Sequence, residues 1–216
     1  NPAGPGGGQP PQFQVVTVAV PQAMTQAAAN NPMVNQAVQF MNLANGMAGY
    51  TAFFTPPAGT NSLAKNLNIN DGPWTSTWTS GTLTITLTIS ETNTVYSWIV
   101  RITGTYKGYT VEDWKLVEAV TSQDGSQGNM VAYQPVTTNV LTQWMWIPVA
   151  QGTVALVYEK PGGQIEINVT SYSDGSGKVE HYENFVLKFK VTWNADGSGS
   201  WWTYEGGTQT DTGTWP

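Results

Sequence analysis

From Trp74 onward, hydrophobic and polar positions alternate with a period of two over much of the chain. The clearest stretch is Thr82 to Ser90, with Leu83, Ile85, Leu87 and Ile89 on one side and Thr82, Thr84, Thr86 and Thr88 on the other. Successive strand side chains point to opposite faces, so this pattern predicts a half-buried β-strand. Val95 to Thr103 repeats the pattern with Tyr96, Trp98, Val100 and Ile102 on one side. Gln164 to Tyr172 sets Ile165, Ile167 and Val169 against Glu166, Asn168 and Thr170, and Phe185 to Thr192 sets Leu187, Phe189 and Val191 against Lys188 and Lys190. Turn signals lie between the runs: Glu91-Thr92-Asn93, Asp124-Gly125, Pro161-Gly162-Gly163, Asp174-Gly175 and Asp196-Gly197. Asp-Gly suits a hairpin because both central positions tolerate positive φ. The succession predicts an all-β fold, an antiparallel meander of about ten strands forming a barrel, half-barrel or sandwich. Tyr109 to Thr121 and Lys178 to Thr192 are long runs, which favours strongly bent strands.

The N-terminal quarter follows a different pattern. Phe13 to Val20 is an apolar run bracketed by prolines, of a length for one strand. Asn31-Pro32 offers an N-cap followed by proline at the first helical position. Met33, Ala37, Phe40, Met41 and Ala44 then recur at helical spacing, and Asn45-Gly46 supplies a stop. This predicts a helix over 32–44, preceded by a shorter one in the alanine-rich segment 22–30, the two packed on the sheet. Residues 1–12 read as a flexible Gly/Pro tether and 13–216 as a single β-rich domain. Within it, 13–70 is a helical or lid section and 71–216 the meander. The layout resembles that of exported half-barrel lipoproteins that hold lipids, a likeness of arrangement carried by no motif.

Composition narrows the function. Among 216 residues the charged share is only 10%, with net charge −6 and one arginine, Arg101. That leaves no basic footprint for nucleic acid. The first charged residue is Lys65, and polarity is supplied by Thr, Ser, Asn, Gln and Gly, a surface more typical of exported proteins. No run of about twenty apolar residues exists to span a bilayer as a helix. Cysteine is absent, which excludes disulfides, thiolate metal sites and cysteine nucleophiles. The expected location is extracytoplasmic, at the periplasm or cell surface, with a membrane tether through the N-terminus. In bacteria a Gly/Pro tract of this kind often follows a lipidated cysteine.

Candidate chemistry is sparse. The single histidine, His181, lies in Glu180-His181-Tyr182-Glu183, where strand periodicity puts it on the face of Glu183 at an exposed cross-strand position. No Gly-x-Ser-x-Gly elbow accompanies it. Carboxylates suited to glycoside chemistry include Glu112, Asp113, Glu118, Glu159, Glu166, Glu180, Glu183 and Glu205, but sequence sets no separation between any two. Asp124-Gly125-Ser126, Asp174-Gly175-Ser176 and Asp196-Gly197-Ser198 repeat one turn, with a single carboxylate each where calcium loops use several. Hairpin chemistry accounts for them. The expectation is therefore no enzyme, no cofactor and no metal.

What remains is a surplus of aromatics, with ten tryptophans. Trp144 and Trp146 share one strand face, whereas Trp201 and Trp202 are adjacent and must point to opposite faces, so that one stands off the main core. With Phe40, Met41, Phe53 and Phe54 of the uncharged section, these four tryptophans are the expected contact residues for a ligand or partner. The function expected is a non-catalytic exported binding or accessory protein, holding an apolar small molecule or lipid or docking to another envelope protein. The alternatives are a carbohydrate-binding module, in which an exposed tryptophan platform takes a polysaccharide, and a structural or adhesive subunit.

Overall fold

The computed structural model describes residues 10–14, 17–60, 63–64, 73–92, 94–147, 153–160 and 163–216. Helices come first: α1 (Gln22–Ala28), α2 (Pro32–Ala44), a 3₁₀ segment (Asn45–Tyr50) and α3 (Thr51–Phe54). The strands follow as β1 (Leu63–Ala64), β2 (Trp74–Ser80), β3 (Leu83–Glu91), β4 (Val95–Tyr106), β5 (Tyr109–Ser122), β6 (Gly128–Tyr133), β7 (Val140–Ile147), β8 (Thr153–Lys160), β9 (Gly163–Ser171), β10 (Gly177–Glu183), β11 (Val186–Trp193), β12 (Gly199–Glu205) and β13 (Thr208–Trp215). The pairings are antiparallel and join neighbours in the chain, for example β3 with β4 and β10 with β11. The fold is thus the all-β antiparallel meander that the alternation predicts. Lys178 to Thr192 is two strands rather than one long run, divided by a turn at Asn184-Phe185, where both residues take positive φ.

The chain forms two compact units. The first takes Gly49–Asn139 with the described part of the first fifteen residues. Its core is the inward row of β3 and β4: Ile85, Leu87, Ile89, Trp98, Val100 and Ile102 are all buried. Phe13 and Phe54 cap it, their rings stacked at 4.1 Å, with Phe54 edge-on to Trp98 at 6.2 Å. On the opposite face Thr75, Thr77 and Thr79 of β2 stand directly across from Thr88, Thr86 and Thr84 of β3. Such cross-strand threonine pairs stabilise a solvated face, and the Thr77 and Thr86 hydroxyls lie 3.2 Å apart.

β5 breaks the period of two at two bulges. Val100 pairs with Val117 but Arg101 with Lys115, so Leu116 is an extra residue, and Leu116 and Val117 are both buried. Farther along, Thr103 faces both Glu112 and Asp113, since Ile102 pairs with Trp114 and Gly104 with Val111. Asp113 bends the strand at φ 43°. Gly104 opposite has φ 128°, and a Cβ there would stand 2.1 Å from the Thr82 carbonyl oxygen, so only glycine fits.

The second unit takes Val16–Ala48 with Val140–Pro216. α2 starts as its sequence predicts: Asn31 Oδ1 accepts from the Met33 and Val34 N–H groups, with Pro32 at the first turn. Its apolar stripe of Val34, Ala37, Met41 and Ala44 is fully buried, and the helix packs on β8, β9 and β10. The run Phe13 to Val20 is a departure. Residues 15–16 lie outside the described residues, and the described remainder forms no strand. The Asn45 side chain takes the place of a strand neighbour, accepting the Val18 N–H at 2.7 Å and donating to the Val18 carbonyl at 2.8 Å. Beneath α2 lie two cross-strand rows, Ile167–His181–Phe189 and Val169–Val179–Val191–Trp201–Gly213. Among the described residues no pairing joins β1 to β6 or β7 to β13, so neither meander closes on itself. No helix among the described residues is long and apolar enough to cross a membrane.

Candidate functional site

The eight expected contact residues divide between the two units. Phe54 is buried in the first unit, and Phe53 is half-buried beside Tyr50, with ring centroids 6.4 Å apart. In the second unit Met41, Trp144 and Trp146 are buried. Phe40 is half-buried between His181, at 4.7 Å, and Phe189, at 5.9 Å. Trp201 joins the helix-covered face and lies flat on Gly213, where a Cβ would come within 2.6 Å of the ring. Trp202 alone of the eight stands on the other face of that sheet.

His181 is also on the helix-covered face, buried under Phe40, rather than at an exposed cross-strand position. The polarity of a histidine carries no information about a helix laid over its strand. Its periodicity, which sets it beside buried Val179, does.

The face carrying Trp202 has a composition unlike the other. Asn168, Glu180, Lys190, Trp202 and Thr212 are successive cross-strand partners on β9 to β13. Four strand spacings put the ends of that row about 19 Å apart. Lys190 Nζ lies 5.7 Å from the Trp202 ring centroid. Glu180 sits between Lys178 at 2.9 Å and Lys190 at 3.8 Å. The Asn168 amide donates to Glu166 at 2.8 Å. Tyr182 follows Glu180 by two residues and Tyr204 follows Trp202 by two, so both tyrosines fall on this face. All three aromatic side chains are half-buried, each with part of its surface in solvent. Burial, then the Glu180 charge, raises the Tyr182 hydroxyl above its ordinary range, so it stays a neutral donor. Tyr182 and Tyr204 escaped the aromatic survey of the sequence. Extending the period of two from Trp202 would have found Tyr204.

The first unit carries an open groove of 840 Å³ built on the β5 bulges and the 134–139 loop. Arg101 and Lys115 face one another directly across β4 and β5, a like-charge pairing that needs compensation. The Arg101 guanidinium donates to the Asp113 carbonyl at 2.6 Å and carboxylate at 3.1 Å. The Lys115 ammonium donates to Glu118 at 2.8 Å and lies 4.5 Å over the Tyr133 ring, while the Tyr133 hydroxyl donates to the other Glu118 oxygen. Burial alone would raise the Glu118 carboxyl, but these two donors hold it below its ordinary range. An ionised, doubly hydrogen-bonded carboxylate is in the wrong state for a general acid. Val136, β-branched at φ 55° and 56% exposed, borders the groove.

The three Asp-Gly-Ser turns are alike. In each the aspartate Oδ1 accepts from both the backbone N–H and the hydroxyl of the serine two residues on. Among the described residues no group of three or more histidine or acidic side chains is placed to hold a metal ion. No family model matches the chain, and no curated protein matches it.

Proposed function

We propose that this chain is a non-catalytic, extracytoplasmic binding or accessory protein that contacts polysaccharide through the Trp202 face of its C-terminal meander. The observation carrying this reading is the set of three part-exposed rings, Tyr182, Trp202 and Tyr204, on a face otherwise built of amide, carboxylate, ammonium and hydroxyl groups. A sugar ring presents an apolar face for stacking and a rim of hydroxyls for hydrogen bonds, and this face offers partners for both. A surface site is preferred to an enclosed apolar one because Met41, Phe54, Trp144 and Trp146 are enclosed by the chain's own side chains. The neutral-polar composition supports the location, and the sparse acid–base chemistry supports a role without catalysis.

The test is retention of the purified chain on a panel of polysaccharides by affinity electrophoresis, with Trp202→Ala as the variant. Because Trp202 is on the face away from α2, the variant should keep the wild-type circular dichroism and lose about tenfold or more in affinity. Failure of every polysaccharide to retard the wild type, or equal retardation of the variant, would refute the reading.

A second reading, docking onto another envelope protein, is favoured by Phe185. This side chain is 76% exposed at the tip of the β10–β11 hairpin and is held at φ 65°. An apolar ring kept in a left-handed turn has no role in folding that a glycine would not fill better. Loss of co-purification with a native envelope complex on Phe185→Gly, with the fold intact, would support it; unchanged co-purification would discard it.

A further inference from the structure

We infer that the polysaccharide taken by the Trp202 face is acidic, its sugar units carrying carboxylates that meet Lys190 and Lys178. This rests on the polysaccharide reading above and goes further, to the charge of the ligand. The chain as a whole holds 14 acidic side chains against 8 lysines and arginines. Against that background, cations gather here. Lys178 and Lys190 stand on the face itself, and Lys188 lies two residues from Lys190 in the same strand.

Two ammoniums on this face draw on a single carboxylate. One carboxylate, Glu180, is shared between Lys178 at 2.9 Å and Lys190 at 3.8 Å. The second carboxylate near the row, Glu166, is engaged by the Asn168 amide. The short contact goes to Lys178, whose ammonium is raised above its ordinary range by that hydrogen bond. Lys190 has the longer one and lies over the Trp202 ring, 5.7 Å from its centroid, so a sugar stacks on the opposite ring face or displaces the ammonium toward its own rim. A sugar stacked on Trp202 would place a ring carboxylate within reach of Lys190, where a charge-assisted hydrogen bond forms without breaking the Lys178–Glu180 pair. A chain of net charge −6 offers a polyanion no general attraction, so binding would have to come from local cations such as these.

The experiment measures affinity for polygalacturonate, a neutral glucan and dextran sulfate at low and high salt, for wild type, Lys190→Gln and Trp202→Ala. The expected result is binding to polygalacturonate at least tenfold tighter than to the neutral glucan, weakened severalfold by salt. Lys190→Gln should remove about tenfold from the polygalacturonate affinity and much less from any neutral binding. Equal affinity for the neutral glucan and polygalacturonate, or indifference to Lys190→Gln, overturns the acidic ligand while the polysaccharide reading stands. Equal binding of dextran sulfate that ignores Trp202→Ala also overturns it, because that is ion exchange without a sugar site. Absence of all polysaccharide binding takes down the parent reading and this one together.

Discussion

The β9–β10 and β11–β12 hairpins share a clasp whose strength can be measured. Trp193 donates its indole N–H to the Gly175 carbonyl at 3.0 Å, and Trp215 donates to the Gly197 carbonyl at 2.7 Å, each reaching 18 residues back to an Asp-Gly-Ser turn. The ring of Trp193 lies against Gly177 and that of Trp215 against Gly199. Both glycines follow the serine of their turn, so Asp-Gly-Ser-Gly and a later tryptophan form one repeated device. Gly199→Ala tests it. Its Cβ would stand 2.3 Å from the Trp215 ring and 2.3 Å from the Thr192 carbonyl oxygen. The carbonyl belongs to the β11–β12 ladder, so relief needs both a local shift of that ladder and displacement of the ring from a site where it is 5% exposed. Loss of a buried tryptophan costs about 3–5 kcal/mol and its hydrogen bond about 1, while alanine in place of glycine in a strand returns about 0.5–1. The net expectation is about 3 kcal/mol or more. At about 2 kcal/mol per molar urea, the midpoint of equilibrium unfolding falls by about 1.5 M. Trp215→Ala should lose a similar amount, and the double variant less than the sum, since the ring contact is lost once while the clash with the Thr192 carbonyl persists. Gly206→Ala is the control: nothing lies within 4 Å of the added Cβ and only its φ of 56° opposes it, a cost of about 1–2 kcal/mol. A Gly199→Ala midpoint near wild type beside a strongly destabilised Trp215→Ala would refute the clasp.

Three further outcomes are expected. Asn31→Ala removes the acceptor for the Met33 and Val34 N–H groups and should lower stability by about 1 kcal/mol in urea unfolding. The Asp124 carboxyl is held down at about 2 by the Ser122 hydroxyl and the Ser126 N–H and hydroxyl, against about 3.9 in an unfolded chain. Its contribution is therefore complete above the unfolded value and lost as pH falls through the folded one; carboxyl NMR titration should give a midpoint near 2 that rises in Ser126→Ala. Phe185→Gly should raise stability by about 1 kcal/mol, because glycine accepts the left-handed turn and the exposed ring gives up no core packing; a thermal midpoint below wild type would contradict this.

The strands and α2 were legible because their signals are local. Leu83 to Ile89 alternate in sequence and in burial, and Asn31-Pro32 opens a helix in both. The departures come from contacts between segments far apart in sequence. Phe13 to Val20 has the apolar content of a strand, but Asn45 satisfies the Val18 backbone from 27 residues away. His181 has the polarity of a surface position, yet Phe40 is placed over it by a helix that hydropathy alone cannot aim. The β5 bulges fall between these cases. Leu116-Val117 and Ala119-Val120 are both adjacent apolar pairs in β5 and only the first contains an extra residue, whereas nothing in Glu112-Asp113 announces a left-handed aspartate. The same limit governs the candidate site. Adjacency required Trp201 and Trp202 to diverge, but which of them shares the helix-covered face depended on where α2 docks, and both remain half-buried. Once α2 covers the face of Val179, the period of two assigns Trp201 to the face of Val179 and Val191 and leaves Trp202, with Lys190 and Glu180, on the face away from the helix.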